Sequence, residues 1–285
     1  MDRAPSRPEP RDRRSPTPAA VRKRDAIRRL KVAMEEERFI LCYQPTVNVA
    51  DGRVDRVEAL LRWRAPEAEE DTVTELIWSA ERSPVIFKLE NWTLREACRA
   101  ASAWQKAGLA GLRVNVNVSA REFTRANLVA RLTRQLAAAG LDPSGLGLEI
   151  TETSRVRDFA AVADQIQRLM AMGIELWLDD FGTGHSSLEW LSQLPCHGVK
   201  IPGTFVERLF TEKRCQTIVA RVVELARDLG LRVIAEEVET EEQRDFLAGQ
   251  GCDLFQGFLF YAAMPAPQLA SALGGAPPSG AKEHA

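Results

Sequence analysis

Apolar residues along this chain fall into two alternating rhythms. Short runs read as strands: FILCYQPTVNV (39–49), RVDRVEALLRW (53–63), LRVNVNVS (112–119), LGLEIT (146–151) and ELWLDD (175–180), then HGVKI (197–201), RVIAEEV (232–238) and LFQGFLF (254–260). Between them lie longer stretches with helical spacing, such as 126–140, where Leu128, Val129, Leu132 and Leu136 share one face. The first two runs are separated only by a turn at Asp51-Gly52, so they are expected to pair antiparallel. Every later run is separated from the next by a helical pattern, which predicts a mainly parallel sheet with helices outside. Eight such runs in about 250 residues predict an α/β fold, an irregular TIM-like (β/α)8 barrel whose first strand runs antiparallel. An open doubly wound sheet is the alternative, but no GxGxxG follows an early strand.

The ends of the chain carry neither rhythm. Residues 1–22 are rich in Pro and Arg with almost nothing to bury, and are expected to form a disordered basic arm. The barrel is expected over residues 23–270, and 271–285 read as a second tail. Net charge is −2, so the composition as a whole does not call for a polyanionic partner, and the arm reads as a solvated tail more than a nucleic-acid binder. No run reaches the roughly 18–20 apolar residues of a membrane helix, and the N-terminus has no hydrophobic signal core. Five cysteines without a CxxC pair point to reduced thiols and a cytoplasmic setting. With only three histidines, a bound metal would have to be held by carboxylates, as suits a hard ion such as Mg²⁺ or Mn²⁺.

Polar residues interrupt the apolar runs near their carboxyl ends: Glu58, Asn115 and Asn117, Glu149 and Glu152, Asp179 and Asp180, Lys200, Glu236 and Glu237, and Gln256. In a barrel these converge on the rim where such folds build active sites. Several carboxylates at one mouth repel by an amount on the order of kcal/mol unless a proton or cation compensates. The adjacent pair Asp179-Asp180 therefore reads as metal-binding.

At these residues the sequence resembles the EAL domain family of cyclic di-GMP phosphodiesterases, in order over about residues 36–270. The matching motifs are YQP (43–45), EALLRW (58–63), NVSAREF (117–123), LEITE (148–152), DDFGTG (179–184), VKI (199–201), AEEVET (235–240) and QGFLF (256–260). The resemblance implies a pair of divalent cations, with Glu58, Asn117, Glu149 and Asp179 holding the first, Asp179 and Asp180 sharing the second, and Glu236 completing the metal and water shell. It implies that Lys200 positions or activates the attacking water and that Gln256 orients the site. Gln44 and Arg62 would meet the phosphate and sugar of cyclic di-GMP, and Glu152 would brace the loop after the fifth strand and support dimer contacts. The implied product is linear pGpG and the implied assembly a homodimer.

Four features depart from the family pattern. Pro202 stands where an Asp is usual, Glu237 where Gly is usual and His185 where Tyr is usual, and the 66–90 segment, with Trp78, is remodelled. Pro202 and the remodelled 66–90 segment support a second expectation: a weakly active or inactive domain that binds cyclic di-GMP or a protein partner as a regulator.

Overall fold

The computed structural model describes residues 18–64, 76–77, 83–151, 158–183 and 187–274. A first helix, α1 (Pro18–Glu35), leads into the hairpin β1 (Phe39–Asn48) and β2 (Val54–Trp63), followed by α2 (Val85–Lys106). Then come β3 (Arg113–Ser119), α3 (Leu128–Ala139), β4 (Leu146–Thr151), α4 (Phe159–Ala171), β5 (Glu175–Asp179) and α5 (Ser187–Gln193). The chain continues with β6 (Gly198–Ile201), a single helical turn α6 (Gly203–Val206), α7 (Lys213–Asp228), β7 (Arg232–Ala235), α8 (Glu241–Gln250) and β8 (Leu254–Phe255). A two-residue strand β9 (Met264–Pro265) and α9 (Ala266–Ala272) complete it.

Strands β2 to β8 lie side by side in sequence order and parallel, and β1 closes the ring by pairing antiparallel with both β8 and β2. The barrel is therefore the expected one, first strand reversed. Register in the hairpin sets Gln44 opposite Glu58, and β9 lies against the outer part of β1.

The helices cover the barrel with the faces their spacing predicts. Leu128, Leu132 and Leu136 of α3 are buried against it, as are Val162, Ile166 and Leu169 of α4 and Val219, Val223 and Ala226 of α7. The Thr240 hydroxyl and the Gln243 side chain form a capping box that starts α8, satisfying amides that the first helical turn leaves open. A smaller apolar cluster joins Ala26, Leu30 and Ala33 of α1 to Phe39, Leu76, Val85, Ile86 and Leu89.

Three boundaries differ from the sequence expectation. Residues 18–22, assigned to the arm, are the opening turns of α1: a proline is tolerated at a helix start, and the Arg- and Lys-rich stretch after it favours helix. Residues 271–274, assigned to the tail, finish α9, whose Leu269 and Ala270 are buried. The eighth strand is two residues long instead of seven, because the chain hooks around Val238: Val238 N–H donates to Gln256 O at 3.0 Å and Leu259 N–H to Val238 O at 3.0 Å. Gly257 permits that approach, since a Cβ there would collide with the Val238 backbone. Trp78, Glu152 and His185, residues 1–17 of the arm and residues 275–285 of the tail lie outside the described residues.

Candidate active site

The parallel registers bring the polar positions together at the carboxyl rim. Asn117 lies opposite Glu149, and Thr151 opposite Asp179, while Lys200 is on β6, and Glu236 immediately follows β7. Alternation along each strand then directs these side chains inward.

At the centre is Lys200, with no exposed surface. Its Nζ lies 2.8 Å from Glu149 Oε2, 3.2 Å from Glu58 Oε2, 3.3 Å from Asp179 Oδ1 and 2.5 Å from Glu236 Oε1. Burial alone would lower the lysine pKa, but the surrounding carboxylates outweigh it and hold the ammonium well above the ordinary lysine range. One buried cation thus faces four acids.

Amides fix the acids around it. Asn117 Nδ2 donates to Glu58 Oε1 at 2.6 Å, Gln256 Nε2 to Glu58 Oε2 at 2.8 Å, and Asn115 Nδ2 to Glu149 Oε1 at 2.8 Å. Burial raises the Glu58 pKa, but Lys200 and the donors from Gln256 and Asn117 prevail and lower it overall. Glu149 is pushed up to about 8, by burial first and then by the neighbouring Glu58 charge. Burial also raises Glu236 well above the usual carboxylate range, and raises Asp180, with Asp179 adding to the latter shift. A set of acids that stays partly protonated at neutral pH lacks positive charge.

The geometry of the outer acids fits a cation. Asp179, Asp180 and Glu236 each offer an oxygen, all within 4.8 Å of one another. Asn117 Oδ1 is a buried oxygen that accepts no hydrogen bond, and buried Asp179 Oδ1 has only the Lys200 ammonium at 3.3 Å. The donor set is oxygen throughout, which matches hard divalent ions. Asp180 and Glu237 both hold φ of 52°, a left-handed conformation uncommon outside glycine, and each lies just past the end of its strand. The usual Gly at position 237 would meet this backbone without strain.

Of the sequence-derived site residues, Glu58, Asn117, Glu149, Asp179, Asp180, Lys200, Glu236 and Gln256 converge here. Gln44 joins through Gln256 Nε2, which donates to Gln44 Oε1 at 3.3 Å, while Gln44 Nε2 donates to Tyr261 O at 3.1 Å. Arg62 stands apart: it is exposed, two residues beyond Leu60 on the Glu58 face, and its Nη1 donates to Leu61 O at 3.1 Å. Two contributors were given no role from the sequence: Thr46, which it did not single out, and Asn115, which it placed at the rim without a partner. Thr46 Oγ1 donates to Gln256 Oε1 at 3.4 Å, and Asn115 fixes Glu149. Both occur two residues from an assigned position on the same strand, so the period of two was the available signal.

The EAL domain model matches residues 27–263. The bifunctional diguanylate cyclase/cyclic di-GMP phosphodiesterase MucR of Pseudomonas aeruginosa is 40% identical over 240 residues, 84% of this chain and 35% of that protein. The chain thus spans about a third of the length of the curated relatives it matches. Among solved structures, the cyclic di-GMP complex of the PaMucR phosphodiesterase superposes with a TM-score of 0.80 at 40% identity, covering 86% of this chain and 99% of that one. The calcium and cyclic di-GMP complex of Klebsiella pneumoniae BlrP1 gives 0.69 at 28% identity, covering 81% and 57%.

Proposed function

Since the chain belongs to the EAL domain family, we propose that it is a divalent-cation-dependent phosphodiesterase that hydrolyses cyclic di-GMP to linear pGpG. The observation that carries this reading is the inward ring of Glu58, Glu149, Asp179 and Glu236 around Lys200, with Asp180 beside it and the buried Asn117 Oδ1 left without a hydrogen bond. Glu58, Asn117, Glu149 and Asp179 would hold one cation, and Asp179, Asp180 and Glu236 a second, with Mg²⁺ or Mn²⁺ the chemically fitting choice. Bound divalent cations supply water of lowered pKa and draw off charge from the phosphate.

The remaining steps belong to side chains. Arg62, exposed near the end of β2, would pair with a phosphate oxygen after leaving Leu61 O, and Gln44, opposite Glu58 and held by Tyr261 O and Gln256, would meet the substrate deeper in the site. Gln256, held by Thr46 and donating to Glu58, fixes the acid that faces the reacting phosphate. Without a bound cation the four acids hold Lys200 protonated; beside bound cations it would position or activate the attacking water. Water adds to one phosphorus and the ribose 3′ oxygen leaves, which opens the ring to pGpG. Glu152 is proposed to brace the loop after β5, and the assembly is proposed to be a homodimer in the cytoplasm.

One observation favours a second reading. Pro202 is buried at the end of β6 and offers no carboxylate, which favours a domain that binds cyclic di-GMP without rapid turnover. Incubation with cyclic di-GMP and Mn²⁺ separates the two: pGpG supports the enzyme, and saturable binding without product supports the regulator. Under the second reading Pro202→Asp should raise turnover.

A further inference from the structure

One step below the rim, β3 and β4 place Asn115 opposite Gly147, in a row that also holds Glu58 on β2. Asn115 has almost no exposed surface. Its side chain lies over Gly147: a Cβ on that glycine would fall 2.9 Å from Asn115 Cγ and closer still to Oδ1. Any side chain at 147 would therefore displace the amide. Glycine weakens a strand, so its presence within the buried run of β4 marks a place where another group must come close.

The amide so seated is aimed at an acid. Asn115 Nδ2 donates to Glu149 Oε1 at 2.8 Å, while Glu149 Oε2 faces Lys200 Nζ at 2.8 Å. The two donors grip different oxygens of one carboxylate and so fix its plane. Glu58 is oriented by two amides, from Asn117 and Gln256, but among the described residues Asn115 brings the one amide that reaches Glu149. Asn115 Oδ1 is buried and accepts no hydrogen bond among the described residues. That oxygen costs stability, and an apolar side chain of similar shape would fill the space without the cost. A residue that served packing alone would need neither an amide nor a glycine across from it.

We infer that Asn115, seated over Gly147, is a positioning residue for Glu149: it sets the orientation in which that carboxylate meets the cation shared with Glu58, Asn117 and Asp179. Gly147 is the other half of the device, since its missing side chain makes the seat. The inference rests on the proposed cation-dependent function and gives roles to two residues outside the motif-derived ligand set.

Calorimetric titration of Mn²⁺ into the full chain, without nucleotide, tests it, with urea unfolding of each protein alongside. Asn115→Leu nearly keeps the shape of the side chain and removes the donor, whereas Gly147→Ala keeps the donor and denies it its seat. Both are expected to remain folded and to weaken Mn²⁺ binding by about tenfold or more, the loss typical of groups that orient a metal ligand. Asn115→Ala should weaken it likewise. Adding Gly147→Ala to that variant should change little, because the amide it would displace is already gone. Wild-type affinity in folded Asn115→Leu or Asn115→Ala, with binding lost in Asp180→Asn, overturns the inference and leaves the cation site standing. A further loss of about tenfold when Gly147→Ala is added to Asn115→Ala also overturns it, because the glycine would then act on something other than the amide. No saturable binding by wild type would overturn the cation-dependent function itself, and this inference with it.

Discussion

Lys200 Nζ lies 2.8 Å from Glu149 Oε2, and both side chains are sealed from solvent. An ammonium and a carboxylate so placed would ordinarily be a closed ion pair. Here Glu58, Asp179 and Glu236 crowd the same ammonium, so Lys200 cannot neutralise them all. Burial and the Glu58 charge leave Glu149 titrating at about 8.

Cation binding should therefore release protons. Divalent ions need the ionised acids, and below the Glu149 value of about 8 a proton must leave first. Mn²⁺ affinity should rise with pH up to about 8 and level off above it, changing about tenfold per pH unit for each proton displaced. Calorimetry in buffers of different ionisation enthalpy counts those protons. A pH-independent affinity with no proton release would contradict this electrostatic account.

The opposite end of the barrel should govern stability without touching the chemistry. Arg56 is fully buried there; its Nη1 donates to Glu175 Oε2 at 2.8 Å and its Nε to Asp55 Oδ1 at 3.0 Å. The guanidinium carbon lies 4.7 Å from the centre of the Trp177 ring. Arg56→Ala should cost about 3–5 kcal/mol in urea unfolding, because Glu175 loses a buried partner. The folded fraction should keep its hydrolytic rate per molecule.

A third prediction concerns Glu90 on α2. Its Oε1 accepts from Ser119 N–H at 2.8 Å, and burial, aided by the adjacent Glu122, pushes its carboxyl up to about 8. The folded value exceeds the unfolded one, so the native state keeps a proton that the unfolded chain loses. Stability should accordingly fall as pH rises from about 4.5 to about 8. Glu90→Gln keeps the acceptor and removes the titration. It should stabilise the protein at pH 8 by on the order of 2–4 kcal/mol and flatten the stability profile across that window. Chemical denaturation of both proteins at pH 5 and pH 8 measures it.

Strand–helix alternation and the short β1–β2 turn made the barrel legible, because burial imposes periods of two and 3.6 on the side chains. The inward polar residues were legible for the same reason: Glu58, Glu149 and Lys200 each interrupt an apolar run. Other features depend on three-dimensional crowding that no period encodes. Asp180 and Glu237 stop their strands through a left-handed backbone. The start of α1 was missed because its arginines and Pro18 resemble the residues of the preceding arm, and only the helix's packing with Phe39 and Leu89 separates the two. The charged state of Lys200 was likewise invisible, since it depends on how many acids surround it.

The most direct measurement follows pGpG by chromatography after incubation of the protein with cyclic di-GMP and Mn²⁺, with Glu58→Ala in parallel. The account predicts product from wild type and none from the variant, which should remain folded because Glu149, Asp179 and Glu236 still face Lys200. Equal product from both proteins would contradict the assignment of Glu58 to the cation, and no product from either would contradict the phosphodiesterase itself.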